Sequence, residues 1–163
     1  METPQVVKKL VIFGVGLIGG SVALALKKQA NEPLCVGVGR NQASLDTALA
    51  LNIIDEATTD IASALRDADM VLIAAPVAQT KPILQSIQPH LGSKTIITDA
   101  GSTKTDVLAI AKSVLGEQSH QFIGGHPIAG AEHTGVHAGK VDLFVNHKVI
   151  LTPLPSSADW AVE

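Results

Sequence analysis

Three glycines near the amino terminus constrain the fold more than any other feature of this sequence. Gly14, Gly16 and Gly19 form a G-x-G-x-x-G pattern, which follows the apolar run Leu10–Phe13 directly and precedes the helix-like stretch Ser21–Lys28. A glycine triplet alone is a weak signal, but its place between a strand and a helix is typical of a dinucleotide-binding turn. The alternative is a tight strand–helix turn that binds no ligand.

Each glycine of this turn has a predicted physical role. We expect Gly14 to allow the tight turn, Gly16 to let the backbone approach a pyrophosphate, and Gly19 to let the helix pack closely on the strand. The helix that starts at Leu17 and Ile18 presents free N–H groups and a partial positive charge to an anion. These five residues are therefore predicted cofactor contacts.

The rest of the chain alternates short apolar strands with amphipathic helices. Hydrophobic residues make up 46% of the sequence and aromatic residues only 2%, as expected for an aliphatic core of parallel strands covered by helices on both faces. Strands are predicted over residues 7–13, 34–38, 70–75, 95–98, 121–123 and 148–151. Helices are predicted over residues 17–29, 42–51, 61–66, 80–88 and 105–115, with a turn at 53–56 and loops at 99–104 and 124–139. This order predicts an α/β fold with a doubly wound, mostly parallel sheet of the Rossmann type.

Charge and cysteine content exclude several classes of partner. The net charge is −3, and no basic cluster exceeds two lysines, which argues against nucleic acid and against an anionic membrane surface. The lone Cys35 lies in a predicted strand, so we expect no disulfide and a reducing compartment. The first nine residues lack the apolar region of a signal peptide, and the apolar run Met70–Ala78 is too short to cross a bilayer. We therefore expect a cytoplasmic protein that acts on a small molecule.

The residues after the second strand favour one dinucleotide over the other. In NAD-binding folds an acidic residue about 20 positions beyond the glycines holds the ribose 2′-hydroxyl, but this position is Gly39, followed by Arg40. A guanidinium can bind a 2′-phosphate bidentately, so NADP is favoured over NAD, with Asn41 assisting. The alternative for Arg40 is a solvated cation that stacks on adenine. Ala75, the last residue of the strand at 70–75, and Pro76, which ends that strand, complete the predicted cofactor contacts.

Two polar segments follow apolar strands and predict the catalytic groups. Because the carboxyl ends of parallel strands meet at one edge, we expect residues 99–106 and 124–135 to face the nicotinamide. His126 is the predicted base, since an imidazole accepts protons near neutral pH and the glycines on either side leave room for a ligand. The alternative is a buried imidazole bonded to a carbonyl. Ser102 is the second candidate, although a serine there is often only a helix cap.

A metal site is not predicted. His133 and His137 are four residues apart, but no third ligand accompanies them at a suitable spacing. Gly135 weakens any helix that would align the two imidazoles.

Four segments of the chain carry a resemblance to a known family: GVGLIGGS (14–21), DAGSTK (99–104), GGHPIAG (124–130) and LFVNHKVILTP (143–153). Together they resemble the nucleotide-binding domain of prephenate and arogenate dehydrogenases of tyrosine biosynthesis. The first segment is shared with many dehydrogenases, and GGHPIAG is far more specific. The resemblance covers nearly the whole chain and implies oxidative decarboxylation of a cyclohexadienyl substrate, with hydride transfer to NADP or NAD.

The resemblance also assigns roles to individual residues. It implies that His126 bonds the substrate's 4-hydroxyl and takes its proton as the hydride leaves, and that Ser102 positions this hydroxyl and the histidine. Arg40 after Gly39 resembles the members that use NADP. The residues do not separate prephenate from arogenate.

Members of this family continue into a helical domain that forms a homodimer and binds the substrate carboxylates. We therefore expect residues 1–155 to form the dinucleotide-binding domain and residues 156–163 to begin a linker to a helical domain that this chain lacks. The sequence has no arginine beyond Arg66, so Lys104, Lys140 or Lys148 would have to supply a cation for the substrate. We expect the chain alone to bind the dinucleotide with little or no turnover.

Two competing interpretations remain open. The first is another nicotinamide-dependent dehydrogenase, of the β-hydroxyacid type, which shares the glycine pattern but is not expected to carry GGHPIAG. The second is a dinucleotide-sensing domain without catalysis, which needs the glycines but neither His126 nor Ser102.

Overall fold

A computed structural model describes residues 6–162 of the chain as one seven-stranded sheet with helices on both faces. The strands are β1 (Lys9–Phe13), β2 (Leu34–Val38), β3 (Glu56–Thr58), β4 (Met70–Ile73), β5 (Ile96–Asp99), β6 (Phe122–Pro127) and β7 (Val149–Pro153). The helices are α1 (Leu17–Leu26), α2 (Gln42–Ala50), α3 (Ile61–Leu65), α4 (Thr80–Ile87), α5 (Lys104–Leu115) and α6 (Asp159–Val162). Residues 1–5 and 163, which the domain prediction includes, lie outside the described residues.

The strand order is β3-β2-β1-β4-β5-β6-β7. The first six strands pair in parallel, and β7 runs antiparallel to β6. The predicted doubly wound, mostly parallel sheet is therefore confirmed. No helix within residues 6–162 has the length and apolar character needed to cross a membrane.

Alternating side chains of each strand form two separate apolar layers. On β1, Val11 and Phe13 pack with α3, α4 and α5, whereas Leu10 and Ile12 pack with α1 and α2. This is the period of two expected of a strand that is buried on both faces. The carboxyl ends of the parallel strands thus form one edge between two helical layers, where ligands bind in open α/β sheets.

Most predicted bounds lie within two residues of the structure, and three predicted elements differ by more than that or in type. The first helix ends at Leu26 rather than at residue 29, because the next residues form tighter i to i−3 bonds, such as Gln29 N–H to the Leu26 carbonyl. The predicted turn at 53–56 leads into the three-residue strand β3, which exists only through its pairing with β2. The strand predicted to stop at 123 continues to Pro127, because β7 pairs along its free edge.

The chain beyond β7 packs on the amino end of β6. The Ser157 hydroxyl donates to the Phe122 carbonyl, and the Ala158 N–H donates to the His120 carbonyl. Trp160 stacks edge-to-face on the His120 ring. Residues 157–160 are thus anchored at the edge of the sheet opposite to the glycine-rich turn.

We predict that the stability of the fold depends on the protonation of Cys35. Burial, followed by the nearby Asp55 carboxylate, raises the pKa of this thiol from 9.0 to about 11. Because the folded pKa exceeds the unfolded one, the stabilisation is fully present below pH 9 and is lost as pH rises towards 11. The free energy of unfolding of the natural chain, relative to Cys35→Ala, should fall by about 2 kcal/mol between about pH 8 and pH 10.5. Urea unfolding at both pH values measures this, and a constant difference would contradict it.

Candidate functional site

The glycine-rich turn is held by close backbone contacts. Gly14 has φ +92°, and a Cβ there would lie 2.7 Å from the carbonyl oxygen of Ala74, the residue that follows β4. A Cβ on Gly19 would lie 2.2 Å from the Gly14 carbonyl oxygen. A Cβ on Gly16, in contrast, would meet no atom within 4 Å. Two glycines are therefore required by packing, and the third faces open space.

Helix α1 begins with its backbone donors free. Its N-cap residue, Gly16, provides no side-chain bond, and its first turn holds no acidic residue. By comparison, the side chain of Asn41 accepts from the Ser44 N–H at 3.2 Å at the start of α2, and Asp60 caps α3 in the same way. The uncapped N–H groups and the positive end of α1 suit an anionic ligand, as the dinucleotide prediction requires.

A cavity of about 770 Å³ opens beside this turn, within the size range of small-molecule sites. The predicted cofactor contacts that line it are Gly14, Gly16, Gly39, Arg40, Asn41, Ala75 and Pro76. Leu17, Ile18 and Gly19 form the first turn of α1 and are not part of this lining. The cavity is also lined by residues that the sequence does not single out, namely Thr59, Ile61, Gln79, Pro82, Ile83 and Ser86.

The charge in this cavity comes from one residue. Among the lining residues within 6–162, Arg40 alone has a charged side chain, so none of them is a carboxylate. Arg40 is exposed, so its guanidinium is accessible to a ligand. The combination of one cation, no acid and an uncapped helix start favours an anionic, phosphate-bearing ligand.

Ser102 and His126 lie beyond the lining, on the neighbouring strands of the same edge. Ser102 is exposed and precedes Thr103, the N-cap residue of α5. It therefore does not occupy the cap position itself. His126 is half-buried within β6, opposite Ile150 of β7. Ser102 thus follows β5, the neighbour of β4, and His126 lies near the end of β6, one strand further from β4. The residues that follow β4, from Ala74 to Pro76, line the cavity.

Asp99, the last residue of β5, connects these two segments. Its buried carboxylate accepts from the Gly101 N–H at 2.9 Å and from the Gly125 N–H at 3.1 Å, and it pairs with the Lys104 ammonium. Lys104 is therefore not a free cation for a substrate, while Lys140 and Lys148 are exposed. The one signal for Asp99 in the sequence is an acidic residue that ends an apolar strand.

The glycines that precede His126 do not leave room for a ligand, contrary to the expectation. Gly124 and Gly125 are buried. A Cβ on Gly124 would lie 3.0 Å from the Thr152 carbonyl oxygen, and one on Gly125 would lie 2.7 Å from the Asp99 carbonyl oxygen. Their space is filled by the neighbouring strands, so these glycines serve close strand packing.

The exposed His133 and His137 lie in the segment after β6. In the part of the chain that the structure describes, no three His, Cys, Asp or Glu side chains form a metal-binding group. The segment returns to α1, where the Lys140 N–H donates to the buried Ser21 hydroxyl at 2.9 Å.

Comparison with known proteins places this chain among dehydrogenases. Prephenate dehydrogenase of Bacillus subtilis (strain 168) is 40% identical over 161 residues, which cover 98% of this chain and 43% of that protein. A crystal structure of prephenate dehydrogenase from A. aeolicus, in complex with hydroxyphenyl propionate and NAD+, matches with a TM-score of 0.89 at 33% identity and covers 98% of this chain and 55% of that one. Synechocystis arogenate dehydrogenase matches with a TM-score of 0.85 at 32% identity, over 94% of this chain and 53% of that one.

These matches span about half the length of the relatives. The family model described as "Prephenate dehydrogenase, nucleotide-binding domain" matches residues 22–163. The match covers most of the sheet and both polar segments that follow β5 and β6. The chain therefore belongs to the prephenate dehydrogenase nucleotide-binding domain family.

Proposed function

We propose that this chain is the dinucleotide-binding part of an enzyme that oxidises and decarboxylates prephenate or arogenate. One observation carries the proposal: His126 extends from β6 at the sheet edge that holds the phosphate-compatible cavity, within the GGHPIAG segment of the family. The B. subtilis and A. aeolicus relatives are prephenate dehydrogenases, and the Synechocystis relative is an arogenate dehydrogenase. These relatives support the same substrate class here.

The residues of this chain account for the proton in that reaction. Oxidation removes a hydride from the ring carbon that bears the hydroxyl, and the nicotinamide, when bound, supplies the hydride acceptor. The hydroxyl proton passes to the His126 imidazole, and Ser102 orients the hydroxyl by a hydrogen bond. The ring carboxylate leaves as carbon dioxide, and its bonding electrons move through the ring onto the carbonyl oxygen that the oxidation formed. This oxygen takes back a proton, and the ring becomes an aromatic phenol.

The residues of the cavity fit a dinucleotide. Gly16 leaves open space beside the uncapped start of α1, where a pyrophosphate would lie. Arg40 and the glycine at position 39 favour NADP over NAD, because no carboxylate opposes a 2′-phosphate there. The NAD+ held by the A. aeolicus relative supports the dinucleotide class.

The cofactor preference predicts a selective effect of Arg40→Ala. We expect its Kd for NADP+ to rise by about 10- to 100-fold, because a charge-assisted bond to the 2′-phosphate is lost, while its Kd for NAD+ changes by less than about twofold. Titration calorimetry with both nucleotides measures this. The matched control is Arg66→Ala, since Arg66 is exposed but outside the cavity lining. An equal loss of affinity for NADP+ and NAD+ in Arg40→Ala would contradict the assignment of Arg40 to the 2′-phosphate.

We also propose how this chain fits into a larger enzyme. Residues 1–155 form the dinucleotide-binding domain, and residues 156–163, anchored through Ser157 and Trp160, begin the connection to a helical domain that dimerises. The enzyme works in the cytoplasm. The 163-residue chain alone binds the dinucleotide with little or no turnover.

The test uses the protein as its gene encodes it, assayed with prephenate and with arogenate, each with NADP+ and NAD+. We expect equal amounts of reduced nicotinamide and carbon dioxide with at least one substrate. The 163-residue chain is assayed beside it and should bind nucleotide only. Absence of turnover with both substrates in the encoded protein would contradict the proposed function.

A further inference from the structure

The Asp99 carboxylate binds the peptide N–H groups that precede both predicted catalytic residues. Its Oδ2 accepts from Gly101, the neighbour of Ser102, and its Oδ1 accepts from Gly125, the neighbour of His126. These two segments are separated by more than twenty residues in the sequence. One side chain therefore fixes the backbone of both relative to the end of β5.

Lys104 completes this arrangement. Its ammonium bonds the same Oδ2 atom, and the side chains of Asp99 and Lys104 are only 3% and 15% exposed. A buried carboxylate requires a partner charge and hydrogen bonds, and these three donors supply them. We call the Asp99 carboxylate with its three donors the Asp99 clip. Bonds of this charge-assisted kind are shorter and stronger than neutral ones, so the clip resists displacement.

The glycines around the clip make it possible. A Cβ on Gly101 would lie 3.0 Å from the Asp99 Oδ2, and one on Gly125 would lie 2.7 Å from the Asp99 carbonyl oxygen. Side chains at either position would push the N–H groups away from the carboxylate. Gly101 also lies next to Val77, since its Cβ would be 3.3 Å from Val77 Cγ2. Val77 follows Pro76 of the cavity wall, so the clip adjoins the nucleotide cavity without lining it.

We propose that Asp99 is a positioning residue, which holds Ser102 and His126 in register with each other. This inference rests on the proposed function, because Asp99 acts through those two residues. A displacement of a catalytic group by about 1 Å can lower a rate by about 100-fold. Nucleotide binding should be insensitive to Asp99, since no member of the clip lines the cavity described above.

The experiment compares Asp99→Ala with a matched control in the protein as its gene encodes it. We expect kcat to fall by about 100-fold while the Kd for NADP+ stays within about twofold. Asp55 is the control because its carboxylate also accepts a hydrogen bond from a backbone N–H, that of Cys35 at 2.8 Å. It also pairs with a lysine, Lys27, at 2.6 Å. It does so at the amino ends of the strands, so Asp55→Ala should lose stability but keep kcat.

A second variant covers the case in which Asp99→Ala does not fold. Asp99→Asn with Lys104→Met leaves no unpaired charge, and its kcat should fall by more than about threefold but by less than about 100-fold. Amide exchange by NMR should be faster at Gly101 and Gly125 in this variant. The Asp55→Ala variant should leave exchange at both glycines unchanged.

The outcomes separate the two proposals. If the natural protein turns over and the Asp99 variants match Asp55→Ala within about threefold in kcat, the positioning role is overturned. If the natural protein turns over neither substrate, the proposed function fails. Amide exchange then tests whether Asp99 holds the two glycine N–H groups. Unchanged exchange at Gly101 and Gly125 in the double variant would overturn the Asp99 clip.

Discussion

Alanine at Gly16 should weaken dinucleotide binding strongly and leave the fold intact, whereas alanine at Gly19 should leave the fold only marginally stable. The two glycines are three residues apart in the same turn. A Cβ at Gly16 meets no protein atom within 4 Å, and its backbone, at φ −107°, accommodates alanine. A Cβ at Gly19 would lie 2.2 Å from the Gly14 carbonyl oxygen and 2.9 Å from Ile12 Cγ2.

The expected magnitudes differ accordingly. The carbonyl that Gly19 approaches belongs to the backbone and cannot rotate away, so Gly19→Ala should cost on the order of 4 kcal/mol of unfolding free energy or more. Domains of this kind are stable by about 5–15 kcal/mol, so such a loss leaves a marginal fold. Gly16→Ala should cost about 1 kcal/mol, the difference between the two residues at an N-cap. Its Kd for NADP+ should rise by on the order of 100-fold, because the methyl group occupies the space needed by the pyrophosphate.

Urea unfolding and titration calorimetry on the 163-residue chain measure both effects. Gly130→Ala is the control for stability, since a Cβ there also meets nothing within 4 Å. It should leave the free energy of unfolding unchanged. Normal nucleotide affinity in Gly16→Ala would contradict the placement of the pyrophosphate, and a stable Gly19→Ala would contradict the packing of α1 on β1.

His126→Ala should remove most of the turnover of the encoded protein without weakening its nucleotide binding. A positioned base contributes about 10²- to 10⁴-fold to a rate, so kcat should fall within that range. The Kd for NADP+ should stay within about twofold, because His126 does not line the cavity. In a dinucleotide sensor, which catalyses no reaction, the same substitution would leave nucleotide binding unchanged and would have no turnover to remove.

The control for His126 is His90→Ala. His90 is exposed and lies after α4, at the amino ends of the neighbouring strands. Steady-state kinetics with the active substrate and calorimetry with NADP+ provide the two readouts. A His126→Ala enzyme with unchanged kcat would remove the base from the proposed mechanism.

The sequence was sufficient for features that depend on neighbouring residues. The apolar runs before Gly14 and before Asp99 identified β1 and β5, because a strand buried on both faces has to be apolar along its length. The spacing of Gly14, Gly16 and Gly19 predicted the turn in which Gly19 packs against the nearby Gly14 carbonyl. The close contact of Gly14 with Ala74, in contrast, depends on the pairing of β1 with β4. The family followed from GGHPIAG, although the roles of Ser102 and His126 stay predictions.

Other features depend on residues that are distant in the sequence. β3 and the last residues of β6 are strands only because β2 and β7 supply their hydrogen-bonding partners. The cavity lining combines the glycine turn with Pro82, Ile83 and Ser86 of α4, which are distant from it in the sequence.

The Asp99 clip shows the same division most clearly. The sequence pattern predicts that Gly125 makes room for a ligand beside His126. In the folded chain it is buried against Asp99, and its N–H donates to that carboxylate at 3.1 Å. Local pattern thus determined which strands, helices and turns form, because these rest on short-range sterics and hydrophobic periodicity. Only the tertiary structure decided which of their ends meet, because hydrogen bonds and close packing between distant strands have no signature in either segment alone.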